Sequence, residues 1–417
     1  MKILHLVTRD FNGGAARATF RTHQALRAIG CDSWMFVQSK DTDEFSVLGP
    51  RTQKDKALAR LRPAADSLWR SLYRKRSTTI FSANLVPGSL SRLAEVNADL
   101  IHLHWITDGF VSMRSLSRIK TPIIWSVQDM WPFTGGCHYD EDCGKYKQNC
   151  GKCPVLGSSF DWDLSRYVWN QKRRALSGLD VSLIAPSRWI EGCIKQSSLF
   201  SNRPVHLIPN GVDTNLFTRQ NSAFVRRLFN LPHNKKLILF GAMNATSDVR
   251  KGFQHLSSAL EILQSNLSNP GEAEIVIFGA SAPKEPVDLG RFKVNYVPAL
   301  RDETSLPLVY SCADVIVVPS IQDNLPNMVI EAMACGTPVV AFSIGGIPDM
   351  IDHRKNGYLA QPFSAADLAL GIRWLVENEN WNEVSQKARE KVQMEFDIRL
   401  TAQNYLKVYG NILKGKL

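Results

Sequence analysis

No apolar run in the 417 residues approaches the roughly 18 needed for a membrane-crossing helix. That excludes a helical transmembrane protein. Low-complexity tracts are absent, and no repeat of fixed short period is found, so neither a disordered tail nor a solenoid is indicated. No secretory leader is expected either. Thr8, Arg9, Asp10 and Asn12 cut off the first apolar stretch too soon, and the expected location is the cytoplasm. No G-x-G-x-x-G fingerprint follows the first strand candidate, which disfavours a nicotinamide enzyme. No nucleic-acid-binding motif accompanies the positive charge.

Acids are the scarcer charge, 39 against 50 lysines and arginines, and the net charge of +11 favours anionic partners. The excess is concentrated. Nine basic residues and only two acids, Asp55 and Asp66, lie between Arg51 and Arg76. Within that stretch Leu58, Leu61, Ala65, Leu68, Trp69 and Leu72 recur at helical spacing. Such a helix can lie in an anionic membrane interface, making the protein peripheral at the inner face of the plasma membrane. Alternatively it packs its apolar face on the domain and exposes its basic face. Pro63 is expected to start or break the helix.

An apolar fraction of 44% and a charged fraction of 21% are those of a globular protein, and the length calls for two domains. Both halves alternate short apolar strands with amphipathic helices, the pattern of parallel α/β layers. Strands are expected at Ile3–Val7, Ser33–Val37, Leu100–His104, Pro122–Val127 and Val181–Ala185. The second half repeats the pattern at Leu237–Phe240, Glu274–Phe278, Val294–Val297, Asp314–Val318 and Pro338–Ala341. Polar Ser197–Pro204 is the expected linker, dividing a domain 1–200 from a domain 201–397. Two doubly wound Rossmann-like domains would bind ligands beyond the carboxyl ends of their strands.

Gly13-Gly14, between the first strand and its helix, lets backbone N–H groups approach an anion. A simple tight turn is an equally good account of the pair. The richest segment is Val317–Asp349, VVPSIQDNLPNMVIEAMACGTPVVAFSIGGIPD. Asp323 lies on a loop, followed by Asn324 and Leu325, and Glu331 on a helix eight positions later. Carboxylates there can accept hydrogen bonds from the paired hydroxyls of a ribose or hexose. The turn Gly345-Gly346 offers N–H groups to a diphosphate without a metal.

This segment resembles the E-x7-E region of the retaining GT-B enzymes of glycosyltransferase family 4, most closely the bacterial members that build exopolysaccharide, O-antigen or colanic-acid-type chains. The resemblance implies that Glu331 contacts the donor ribose and Asp323 the transferred sugar, where Asp replaces the usual Glu. Pro209-Asn210-Gly211-Val212-Asp213 resembles the family's turn into the second domain. Asp99–Trp105 resembles its D-x-x-H-x-H strand end, which implies that His104 lies beside the transferred sugar. Arg250-Lys251-Gly252 resembles its R-K-G, whose lysine pairs with donor phosphates. The arginine usual after Gly241 is replaced by Ala242-Met243-Asn244, and Arg250 is a candidate substitute. The fold implied is GT-B, two Rossmann-like domains facing a central cleft, with a last helix, 398–417, returning to the first domain.

Cys137, Cys143, Cys150 and Cys153 form C-x5-C-x6-C-x2-C after Asp129–Gly136. Structural zinc bound by four thiolates is one account; buried unliganded thiols or two labile disulfides are the others. No catalytic metal is expected. The Asp129–Gly136 loop is expected to border an acceptor site, with Asp129 and Trp131 as contacts, although its aromatics could equally pack around the cysteines.

The expectation is therefore a retaining hexosyltransferase that takes a nucleotide-diphosphate sugar and a saccharide or lipid-linked saccharide acceptor, in surface polysaccharide synthesis. The first domain would hold the acceptor and the second the donor. A non-catalytic nucleotide-sugar-binding protein, or a GT-B epimerase or phosphorylase, remains the alternative; nucleic acid is not an expected partner.

Overall fold

The unbroken apolar runs of the sequence form two all-parallel sheets in the computed structural model. The structure describes all residues except 87, 89, 91–92, 94, 242–247, 280–288, 301 and 416–417. Two compact units result, one of Met1–Asn210 with Ile398–Leu417, the other of Gly211–Asp397.

In the first unit the chain runs β1 (Lys2–Arg9), α1 (Gly14–Ala28), β2 (Asp32–Ser39), β3 (Val47–Leu48), α2 (Gln53–Ser71), β4 (Leu100–Leu103) and α3 (Met113–Leu116). It continues with β5 (Ile123–Ser126), α4 (Leu164–Leu176), β6 (Val181–Ala185), α5 (Arg188–Gln196) and β7 (Val205–Leu207). The strand order is β3-β2-β1-β4-β5-β6-β7, so the direction of winding reverses between β1 and β4. The unit ends only at Asn210, beyond the polar stretch expected as linker, because β7 adds a seventh strand to this sheet.

The second unit comprises α6 (Ser222–Leu228), β8 (Lys236–Gly241), α7 (Phe253–Asn266), β9 (Ala273–Phe278), β10 (Val294–Val297), α8 (Leu306–Cys312) and β11 (Val315–Val318). Then come α9 (Asn327–Ala334), β12 (Val339–Phe342), β13 (Gly357–Ala360), α10 (Ala365–Val376) and α11 (Trp381–Glu395). Its order, β10-β9-β8-β11-β12-β13, reverses between β8 and β11. Strands such as Val315–Val318 and Val339–Phe342 are buried along their whole length because helices cover both faces.

The final helix, α12 (Ile398–Leu413), belongs to the first unit. Ile398, Ala402, Tyr405 and Tyr409 pack with Ile3, Leu26, Leu100, Ile124 and Ile184 in one buried cluster. Each fully buried tyrosine ring contributes roughly 2 kcal/mol by area alone. Both hydroxyls are satisfied inside, Tyr409 Oη against His102 Nδ1 at 2.7 Å and Tyr405 Oη against Ser126 Oγ at 3.1 Å.

One expectation about α2 changes, and one open alternative is decided. The helix runs through Pro63 instead of starting or breaking there. A capping box fixes the true start: Thr52 Oγ1 accepts from Asp55 N at 3.1 Å, and Asp55 Oδ2 accepts from Thr52 N at 3.1 Å. Pro63 then forgoes only the one bond its nitrogen cannot donate. Of the two alternatives for its apolar face, the structure shows the exposed one. Its only buried residue is Asp66, and Leu58, Leu61, Leu68, Trp69 and Leu72 are exposed.

Candidate active site

Both sheets reverse at a point where ligands characteristically bind in open α/β structures. In the second unit the chain leaving β8 passes the chain leaving β11 at contact distance. Gly252 takes φ +69°, and a Cβ there would sit 1.8 Å from the Pro319 carbonyl oxygen. Ile321 N donates to Arg250 O at 2.9 Å. From the other side, the turn after β12 presses on the same loop: Gly345, at φ +53°, would place a Cβ 1.8 Å from Asp323 O. Only glycine tolerates both the positive φ and the contact. Gly346 N lies 3.4 Å from that carbonyl. The loop after β11 is thus held between the 250–252 and 345–346 turns.

On this frame Lys251 Nζ reaches Asp323 Oδ2 at 3.0 Å, and both side chains keep some solvent exposure. Arg250, its neighbour, points back: Nη2 pairs with Asp248 Oδ2 at 2.8 Å, and Asp248 also caps the turn by accepting from Arg250 N. The guanidinium expected to substitute for a missing phosphate clamp is therefore engaged by Asp248. Ala242-Met243-Asn244, where that clamp would stand, lie outside the described residues. Asn324 is buried, and Leu325 belongs to the main core of the unit, so its side chain serves packing. Glu331, on α9, is 4% exposed and accepts from Tyr310 Oη at 2.5 Å. Tyr310 had no signature in the sequence, because an apolar helix position is its ordinary place.

In the first unit the reversal point carries Gly13 and His104. Gly13, at φ +106°, precedes α1 as its N-cap without a side-chain cap, and Gly14 opens the helix. Thr8 joins the ends of β1 and β4, its N donating to Trp105 O at 2.8 Å and its Oγ1 to Thr107 O at 2.9 Å. His5 on β1 stands opposite His102 on β4, which places His104 two residues further on the same face. His5 Nδ1 and His104 Nε2 lie 2.9 Å apart. His102 is bonded at both nitrogens, to Tyr409 Oη and to Ser126 Oγ at 2.8 Å. Among the described residues this trio is the only group of three metal-ligand types whose atoms lie within 4.8 Å of one another. Strand register accounts for that closeness, and hydroxyl partners hold only His102.

Burial lowers the His104 pKa to about 3, and it lowers His5 and His102 well below the usual value, assisted by the neighbouring imidazoles. His104 is a neutral ring and not a proton carrier near neutrality. His5 Nε2 and His104 Nδ1 have no partner.

The acceptor residues expected from sequence are placed differently. Asp129 spends both oxygens on protein: Oδ2 accepts from Trp105 Nε1 at 2.9 Å and His138 Nδ1 at 2.6 Å, and Oδ1 accepts from Trp131 N at 2.9 Å. Burial alone would raise its pKa, but His138 and these bonds reverse the direction and hold it low. Trp131 is buried, donates through Nε1 to Ser82 O at 2.8 Å, and has Lys172 Nζ 3.6 Å from its ring centre. Its ring is committed to packing and is not offered to a sugar.

Lys172 is the residue that sequence reasoning missed entirely. It lies within a basic run on α4, which reads as a solvated face. Instead it is fully buried and donates to Thr134 O at 3.0 Å and to Trp131 O. Burial brings its pKa down to about 7, against the opposing pull of Cys137, Cys150 and Asp129. Cys137, Cys150 and Cys153 are buried and Cys143 half-buried. Burial pushes Cys150 up to about 12 and Cys153 up to about 11, and raises Cys137 and Cys143 as well. Without an ion these are neutral thiols.

Residues 12–216 match the family model described as Glycosyltransferase Family 4, and residues 234–378 match that of Glycosyl transferases group 1. An uncharacterized glycosyltransferase of Methanocaldococcus jannaschii is 29% identical over 348 residues, covering 79% of this chain and 80% of that protein. Among solved structures, sucrose-phosphate synthase from Thermosynechococcus elongatus superposes with a TM-score of 0.68 at 20% identity, covering 100% of both chains. Anabaena HepE, solved with UDP and glucose, gives a TM-score of 0.64 at 17% identity, covering 98% of this chain and 99% of that one. At such identities the likeness speaks to fold, and the fold of these neighbours, two Rossmann-like units in one chain, is GT-B.

Proposed function

The chain belongs to glycosyltransferase family 4, and on that footing we propose that it transfers a hexose, with retention of anomeric configuration, from a nucleotide-diphosphate sugar to a saccharide or lipid-linked saccharide in surface polysaccharide synthesis. The observation that carries this reading is the meeting of Lys251 and Asp323 at the reversal point of the second sheet, beside a glycine turn. UDP is the first nucleotide to test, since HepE, a neighbour of the same fold, was solved with it.

In this reading the second unit takes the donor and the first the acceptor. Lys251 and the backbone N–H groups of the Gly345-Gly346 turn neutralise the diphosphate as negative charge grows on it. Asp323, with the backbone around Asn324 and Leu325, orients the sugar, and Glu331, held by Tyr310, accepts from the ribose. Gly13, Gly14 and His104 keep the roles given by the resemblance, diphosphate contact for the glycines and sugar contact for the neutral imidazole. The bond from the anomeric carbon to the diphosphate oxygen breaks as the acceptor oxygen bonds to the same face. The acceptor's proton passes to the departing diphosphate. Positioning and electrostatics supply the catalysis, and no carboxylate nucleophile is required.

Apart from the reaction, Cys137, Cys143, Cys150 and Cys153 would supply four thiolates for one structural zinc ion, but no three of their sulfurs lie within 4.8 Å of one another, so an ion would have to draw them together, with Lys172 nearby. Elemental analysis finding one zinc per chain supports it, and a metal-free folded protein refutes it.

The test of function is a screen of nucleotide-sugars for thermal stabilisation, followed by NMR of the product's anomeric centre. Donor turnover with retained configuration supports the proposal. Tight donor binding with neither hydrolysis nor transfer would indicate a sensor instead.

A further inference from the structure

An amphipathic helix normally buries its apolar stripe. In α2 that order is inverted. Leu61 and Leu68 are each 64% exposed and Leu72 is 75% exposed, with Trp69 beside them at 46%. Leu58, Leu61, Ala65 and Leu68 on the helix and Leu72 at its C-cap follow a three-four spacing, so they form one stripe about 20 Å long at the rise of an α-helix.

A second segment brings further aromatics to the end of that stripe. Leu164 N donates to Tyr73 Oη at 2.9 Å, Ser77 N donates to Val155 O at 3.0 Å, and Tyr73 and Leu164 pack on the same buried cluster. The loop pinned in this way carries Phe160 and Trp162, 76% and 82% exposed. Helix and loop are distant in sequence, so nothing in the sequence joins them.

Charge decides what covers the stripe. Lys54, Lys56, Arg60, Arg74, Lys75 and Arg76 are exposed on or just after α2. Of the two acids in the same stretch, Asp66 is buried and Asp55 is tied into the cap. A second copy of this chain would set cations against cations, at a cost in a low-dielectric contact. An anionic bilayer supplies the opposite sign for the lysines and arginines, and an acyl boundary for the leucines and tryptophans.

We infer that α2 and the Phe160–Trp162 loop together form one docking surface for an anionic lipid bilayer, on which the helix lies in the interface plane. The surface extends the proposed function by placing a lipid-linked acceptor's membrane under the first unit. Vesicle binding is read with no nucleotide present, so its outcome is separate from that of the donor reading. No helix of the described residues is long and apolar enough to cross a membrane.

The experiment is flotation of the full chain with phosphatidylcholine vesicles, with and without about one-third phosphatidylglycerol. Strong flotation only with the anionic vesicles is expected, weakened as salt rises from about 0.1 M to about 0.5 M. The triple variant Leu61→Ser, Leu68→Ser, Leu72→Ser and the separate pair Phe160→Ser, Trp162→Ser should each lose about tenfold in partitioning. Both should keep wild-type donor binding, because the altered side chains are solvent-exposed. Equal flotation with neutral vesicles, or wild-type flotation by the variants, would overturn the inference. So would a wild-type dimer that the triple variant converts to monomer, since the stripe would then belong to a second copy.

Discussion

Lys251 Nζ lies 3.0 Å from Asp323 Oδ2, joining the turn after β8 to the loop after β11 where the second sheet reverses. The pair is partly exposed, so as an ion pair it adds little to stability, about 1 kcal/mol at most. Its value is positional: it keeps a cation and a carboxylate together where a diphosphate and a sugar would meet.

Lys251→Ala and Glu331→Ala are each expected to lower the transfer rate at least about tenfold, because in the proposed reading each removes a side chain that holds the donor. Asp323→Ala should lower it comparably while leaving nucleotide binding largely intact, since its proposed partner is the sugar. Steady-state kinetics of purified variants check this, with wild-type rates removing the assigned roles.

Gly345→Ala tests the frame itself. A Cβ 1.8 Å from the Asp323 carbonyl at φ +53° must push the loop away. The variant should fold, yet bind the donor at least about tenfold more weakly, as calorimetry would measure.

Acid should destabilise the first unit. Folding lowers the pKa of His5, His102 and His104, and brings His23 down to about 4, burial being the main cause each time. The unfolded chain therefore binds protons below about pH 6.5 that the native chain refuses. The stability is present above that pH and is lost as pH falls toward 4, by about 1.4 kcal/mol per pH unit for each histidine. Asp66, raised to about 6 chiefly by burial, works the other way for one proton over part of that window. Urea unfolding at pH 6.5 and at pH 5 reads the difference, and equal stability would contradict a neutral histidine layer.

Lys172→Met removes the buried donor to the Trp131 and Thr134 carbonyls. Trp131 O keeps Thr134 N at 3.3 Å, whereas Thr134 O is left unpaired, which should cost about 1–3 kcal/mol, seen as a lower urea midpoint. An unchanged midpoint would show that the loop is held by other contacts.

How far the sequence reveals all this depends on the range of each cause. Ten of the strands were legible because strands buried on both faces are continuous apolar runs, as in Val315–Val318. β3, β7 and β13 were not, being two to four residues long and containing no comparable run. In the second unit Lys251 and Asp323 were singled out by the family resemblance and Gly345 by its turn, and the structure sets Lys251 and Gly345 against the loop that carries Asp323. Tyr310, Lys172 and His138 were illegible because their roles come from contacts made at a distance. The outward face of α2 was undecidable, since the same periodicity describes a stripe buried or exposed.

The most direct measurement is thermal stabilisation by UDP-glucose and related donors, in the wild type and in Lys251→Ala and Glu331→Ala. The account predicts a wild-type rise in melting temperature with at least one donor, sharply reduced in both variants. Equal stabilisation of all three proteins would contradict a donor site built on these residues.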